Sequence, residues 1–152
     1  MNEQDYMAIA LEEARKAAGR DEVPIGAVLV HGESGEIVAV NSNRTIELSD
    51  PSAHAEMLVI REACKNIGAQ RIPGYDLYVT LEPCAMCAAA ISFARIRTLY
   101  FGASDPKGGA VLHGPKFFTQ TTCHHRPDIE SGLLGEESGA LLKDFFKGKR
   151  QK

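Results

Sequence analysis

Apolar side chains at Met7, Ala10, Leu11, Ala14, Ala17 and Ala18 recur at the spacing of one helical face and stop near Gly19, so the chain opens with an amphipathic helix. From Pro24 to Val30 the pattern becomes a continuous apolar run, the mark of a buried strand. A turn at residues 32–35 and a second apolar stretch at 36–40 complete an antiparallel hairpin. Asp50 and Pro51 predict a helix cap and a first-turn proline, with the helix running over about residues 52–67 and ending at Gly68. Beyond the Pro73-Gly74 turn, residues 77–81 form a strand, residues 85–94 a helix of small side chains and residues 98–101 another strand. Residues 102–127 read as mostly irregular, and a closing helix over about 136–147 assigns Leu141, Leu142, Phe145 and Phe146 to the core. The connections are long enough for parallel crossovers, which implies a three-layer α/β/α sandwich on a mixed sheet.

A length of 152 residues fits one domain, 1–152, with a basic C-terminal helix. The chain has no apolar run near the ~20 residues of a membrane span, and its amino end mixes acids into the apolar positions. No membrane association and a cytoplasmic address are expected. Four cysteines, two of them as Cys84-Ala85-Met86-Cys87, favour metal or redox chemistry over a disulfide framework. The net charge of −3 argues mildly against a nucleic-acid partner, but its distribution reverses that reading. Residues 95–126 carry five basic side chains against Asp105, and residues 143–152 carry five against Asp144. A polyanion could use that last third; a solvated basic tail is the plain alternative.

His54-Ala55-Glu56 and Pro83-Cys84-Ala85-Met86-Cys87, each at the start of a helix, together make the strong chemical signal. Zinc favours imidazole and thiolate, and one His with two Cys leaves a fourth tetrahedral position for water, as in a catalytic site. Cys84 and Cys87, three apart, share one face of a first helical turn, whose partial positive charge favours thiolate. Residues two apart do not share a helical face, so the metal is expected off the helix end, bound by His54, with Glu56 reaching the bound water without ligating. Such a carboxylate can move the water proton to a substrate nitrogen, while zinc brings the water pKa from near 16 to ~7. A zinc knuckle would want a fourth ligand, and a thioredoxin-like pair has no use for His-x-Glu.

The H-x-E and P-C-x-x-C motifs resemble the signature of the zinc-dependent nucleoside and nucleobase deaminases. Within them the chain is most similar to the bacterial tRNA-specific adenosine deaminase family, through VPIGAVLV at 23–30, NR at 43–44, DPSAHAE at 50–56, LYVTLEPCAMC at 77–87, FGASDPKGGA at 101–110, HRP at 125–127 and LLKDFF at 141–146. The resemblance implies a cytidine-deaminase-like fold on a five-stranded mixed sheet, and hydrolytic deamination of adenosine to inosine at the wobble position of a tRNA anticodon stem-loop. It implies one zinc per subunit on His54, Cys84 and Cys87, with Glu56 as proton shuttle. Ile25 and Asn43 would line the base pocket, the Ala55 amide and the turn of Leu81, Glu82 and Pro83 would hold the purine edge, and Asp105, Lys107 and the basic helix would meet the anticodon loop. The family is homodimeric, with its active site near the subunit interface.

Two rivals remain on the sequence: a free-base or nucleoside deaminase for guanine or cytosine, and a non-catalytic zinc-containing tRNA-binding subunit. The first would have no use for the basic last third, the second none for Glu56. Cys123, His124 and His125 read as loop residues ahead of a second metal site, and Cys64 as packed core. The hairpin tip at 31–35 is slightly longer than the family resemblance leads one to expect.

Overall fold

The computed structural model describes residues 1–150; Gln151 and Lys152 lie outside the described residues, as does the Arg150 side chain. Helix α1 (Glu3–Gly19) starts on a capping box in which Asn2 and Asp5 satisfy each other's backbone N–H groups. Strands β1 (Gly26–His31) and β2 (Ile37–Ser42) form the expected hairpin, followed by α2 (Ala55–Ile67), β3 (Tyr75–Leu81), α3 (Ala85–Ala94) and β4 (Thr98–Ala103). A 3-10 turn at Phe117–Thr119, strand β5 (Asp128–Ser131) and helix α4 (Gly135–Arg150) complete the order.

The sheet runs β2-β1-β3-β4-β5, with β1 antiparallel to both neighbours and β3, β4 and β5 mutually parallel. Period-two alternation sorts the central strands into two cores. Ala27, Leu29, Leu77, Val79, Leu99 and Phe101 face the α2 and α3 layer, where they meet Val59, Ile60, Ala88 and Ile91. Val28, Val30 and Tyr78 face Tyr6, Met7 and Ala10 of α1. Gly26 lets α1 settle directly on β1, since an added Cβ would collide with the Ala10 carbonyl and the Ala14 nitrogen.

Two readings are corrected, and the fifth strand finds its place. Helix α2 begins at Ala55, three residues later than the Asp50-Pro51 signal predicts, because Asp50 accepts from the Ser52 N–H (2.8 Å) and hydroxyl (2.7 Å) and closes a turn of its own. Leu141, Leu142 and Phe145 are half-buried and Phe146 is 43% exposed, so none of the four belongs to the core; α4 lies over β4 and β3 with its outer end on the surface. Residues 128–131, which carry no apolar pattern, form β5, an exposed edge strand held by its ladder to β4.

Candidate metal centre and active site

The parallel pair β3 and β4 sends its carboxyl ends toward the amino ends of α2 and α3. His54 is the N-cap of α2 and Cys84 the N-cap of α3, both in extended backbone, and neither uses its side chain to cap its own helix. Both side chains are therefore free to converge. His54 Nδ1 lies 3.6 Å from Cys84 Sγ and 3.5 Å from Cys87 Sγ, and all three ligand atoms fall within 4.8 Å of one another. Zinc–nitrogen and zinc–sulfur bonds at the tetrahedral angle put such atoms about 3.6 Å apart. The donor set thus fits zinc in kind and in spacing.

The charges fit as well. The Cys87 thiol donates to Cys84 and, with help from His54 and against the effect of burial, holds the Cys84 thiol down at about 4. Cys87 is pushed up by making that bond and by burial. His54 is raised by its bond to Cys84, which outweighs burial, and by the nearby Glu56. Without metal the centre keeps a thiol proton that a bound cation displaces. Glu56, in the first turn of α2, stands outside the ligand cluster and is 4% exposed; burial pushes its carboxyl up to about 7. Its own backbone N–H, His54 and the Cys87 thiol favour the carboxylate without cancelling the effect of burial.

A cavity of about 140 Å³ opens onto His54, Glu56 and Cys84. Of the sequence-predicted substrate residues, Ile25, Leu81, Glu82 and Asp105 line it, together with Gly108. The volume is below the ~300 Å³ at which pockets begin to enclose a whole drug-sized ligand, so it takes one ring system and leaves the rest of a substrate outside. Asn43, Ala55, Pro83 and Lys107 are not in that lining. Asn43 is buried, and its Oδ1 accepts from the Ala55 N–H at 2.9 Å while its own N–H donates to the Ile25 carbonyl at 3.1 Å. It ties the amino end of α2 to the pocket wall. Pro83 accepts from Ala110 through its carbonyl, and Lys107 is exposed on the rim.

Two buried carboxylates, Glu22 outside the motifs and Glu82 within the segment at 77–87, hold the flanking loops. Glu22 accepts from the Ile46 and Glu47 N–H groups at 3.2 and 2.8 Å, and from the Thr45 hydroxyl. Glu82, placed by the sequence at the purine edge, turns its carboxylate into residues 105–113. No second metal cluster occurs among the described residues. Cys123 is buried and donates to the His125 carbonyl, and Cys64 packs partly buried against the core. A larger cleft of about 630 Å³, floored by Tyr6, Tyr78 and Tyr100, lies at the opposite end of β3 and holds none of the ligand set.

Fold and site together define a zinc-dependent deaminase. Residues 1–103 match the cytidine and deoxycytidylate deaminase zinc-binding region, and the chain belongs to that family. Among its relatives, the tRNA-specific adenosine deaminase of Agrobacterium fabrum is 63% identical over 95% of this chain and 94% of its own, and that of Bacillus subtilis 47% over 97% and 90%. A structure solved in a study of A-to-I editing by tRNA:A34 deaminases at the wobble position superposes with a TM-score of 0.88 at 63% identity, covering 91% of this chain and 99% of that one. The guanine deaminase of Nitrosomonas europaea shares the fold, with a TM-score of 0.82 at 22% identity over 95% of this chain and 84% of that one.

Proposed function

We propose that this chain hydrolyses adenosine to inosine at the wobble position of a tRNA anticodon loop, releasing ammonia. The observation that carries the reading is the His54, Cys84 and Cys87 donor set with an unligated, buried Glu56 beside it, on a chain that matches a tRNA-specific adenosine deaminase nearly end to end. The similarity extends past residue 103 and well into the basic last third that a free-base deaminase would not need.

A zinc ion held by His54, Cys84 and Cys87 would lower the pKa of a water in its fourth position from near 16 to ~7. Glu56 takes a proton from the attacking water and delivers it to the ring nitrogen beside the amino-bearing carbon. Glu56 then carries the remaining proton of the added hydroxyl to the amine, ammonia leaves as the carbonyl forms, and the carboxylate is regenerated. A carboxyl raised toward neutrality suits both directions of transfer. Ile25 and Leu81 flank the base, and the small cavity requires it to be splayed out of its stack, which costs least in a single-stranded loop. Lys107, Lys143 and Lys147, all exposed, meet RNA phosphates.

The active unit is one domain, 1–152, assembled as a homodimer in the cytoplasm, where its tRNA substrate is. Exposed Met86 and Phe93, seven apart on α3, with Ile67 of α2 and Leu112, support that pairing on the helical layer beside the site. Sequencing of tRNA after incubation with zinc-loaded protein tests the activity: adenosine at the wobble nucleotide should read as guanosine. A chelator should abolish the change and added zinc restore it. No wobble inosine, or equal turnover of free guanine or cytosine, overturns the reading.

A further inference from the structure

Glu82 is the most heavily engaged carboxylate among the described residues, yet it stands outside the proton transfers of the deamination. Its side chain is fully buried. Oε1 accepts from the Asp105 N–H at 3.0 Å and from His113 Nδ1 at 2.8 Å. Oε2 accepts from the N–H groups of Val111, Leu112 and His113 at 3.1, 2.9 and 3.2 Å. Five donors converge on two oxygens, an arrangement that only an ionised carboxylate satisfies and that fixes the His113 proton on Nδ1.

The donors all belong to one irregular segment, 105–113, which has no regular structure of its own. Gly109 lies so close that an added Cβ would collide with the Glu82 carboxyl. The same segment supplies Asp105 and Gly108 to the cavity, with the Asp105 carboxylate closing its own turn on the Lys107 and Gly108 N–H groups. One pocket wall is therefore wrapped around a carboxylate on the strand end that leads to Cys84. His113 is the one side chain among the donors, and it is 33% exposed.

We propose that Glu82 and His113 form a clamp that positions the 105–113 wall for binding of the flipped RNA base. Neither residue takes part in proton transfer. This rests on the proposed deaminase activity. Because the wall touches the base equally before and during reaction, loss of the clamp shows in KM. The substitutions fall on His113, since Glu82→Ala would leave four backbone donors without their acceptor at once.

In steady-state assays on tRNA, His113→Ala should raise KM about ten-fold with kcat within about two-fold of the parent. His113→Asn, whose amide N–H can take the place of Nδ1–H, should restore KM to within about three-fold. Zinc content stays at one per chain in both variants. Amide hydrogen exchange at Val111 and Leu112 should quicken in His113→Ala and return toward the parent rate in His113→Asn, a readout that needs no turnover. Unchanged KM or exchange in His113→Ala, failure of Asn to restore either, or a fall in kcat accompanied by zinc loss overturns the clamp. Absence of inosine with the parent protein overturns the deaminase reading instead, and leaves the exchange result to judge the clamp.

Discussion

Replacing Glu56 with Gln should cut turnover steeply and stabilise the metal-free fold. The carboxyl is 4% exposed, and burial carries it from an ordinary 4.5 to about 7. Below pH 4.5 it is neutral folded or unfolded and contributes nothing. Between pH 4.5 and 7 the unfolded chain ionises first, so the native state loses about 1.4 kcal/mol for each pH unit, or about 3 kcal/mol by pH 8. Glutamine keeps the shape without the charge and escapes that loss. In zinc-free protein, Glu56→Gln should melt with the parent near pH 4 and roughly 6–12 °C above it at pH 8. A bound dication favours the carboxylate, so the gap should narrow when zinc is restored. Inosine formation should fall by about 10²–10⁴ with zinc content and tRNA binding retained. Scanning calorimetry at the two pH values, beside single-turnover kinetics, makes the test. Equal melting of the two proteins at pH 8 would refute the buried, poised carboxyl, and undiminished inosine formation would refute its role as proton carrier.

Two further outcomes follow from packing. Gly26→Ala drives a methyl into the backbone of α1, which cannot yield as a side chain would, and should cost about 3 kcal/mol or more, read as a fall in Tm of roughly 10 °C; a change under 2 °C by the same scale would contradict the close approach. Phe93 is 68% exposed on α3, so, on the proposed homodimer, Phe93→Glu should leave the chain folded and shift sedimentation toward monomer, whereas sedimentation identical to that of the parent would refute the pairing through α3.

The metal centre was legible because its chemistry is local. Cys84 and Cys87 lie within one helical turn, and His54 and Glu56 within another, so residue type and spacing carry the signal. The inner strands were legible because Val28, Tyr78 and Tyr100 alternate with Leu29, Val79 and Phe101 between two packed faces. Strand β5 was not, since all four of its residues are exposed and its place comes from pairing with β4. The loops beside the site were hidden for another reason. Glu82 grips N–H groups 23 to 31 residues away, and Glu22 grips its loop from 23 to 25 residues away. Six of these eight donors are backbone groups, and backbone groups are the same whatever residue supplies them, so no spacing of side chains marks the contact. Only two features of the Glu82 contact leave a trace in the sequence: His113, which donates through its ring, and Gly109, which must be small. The residues that build the pocket walls are therefore those whose importance composition and periodicity conceal. The resemblance marks Glu82 only as a purine-edge residue; its burial among the N–H groups of residues 105–113 makes it also the template on which an irregular segment takes its shape.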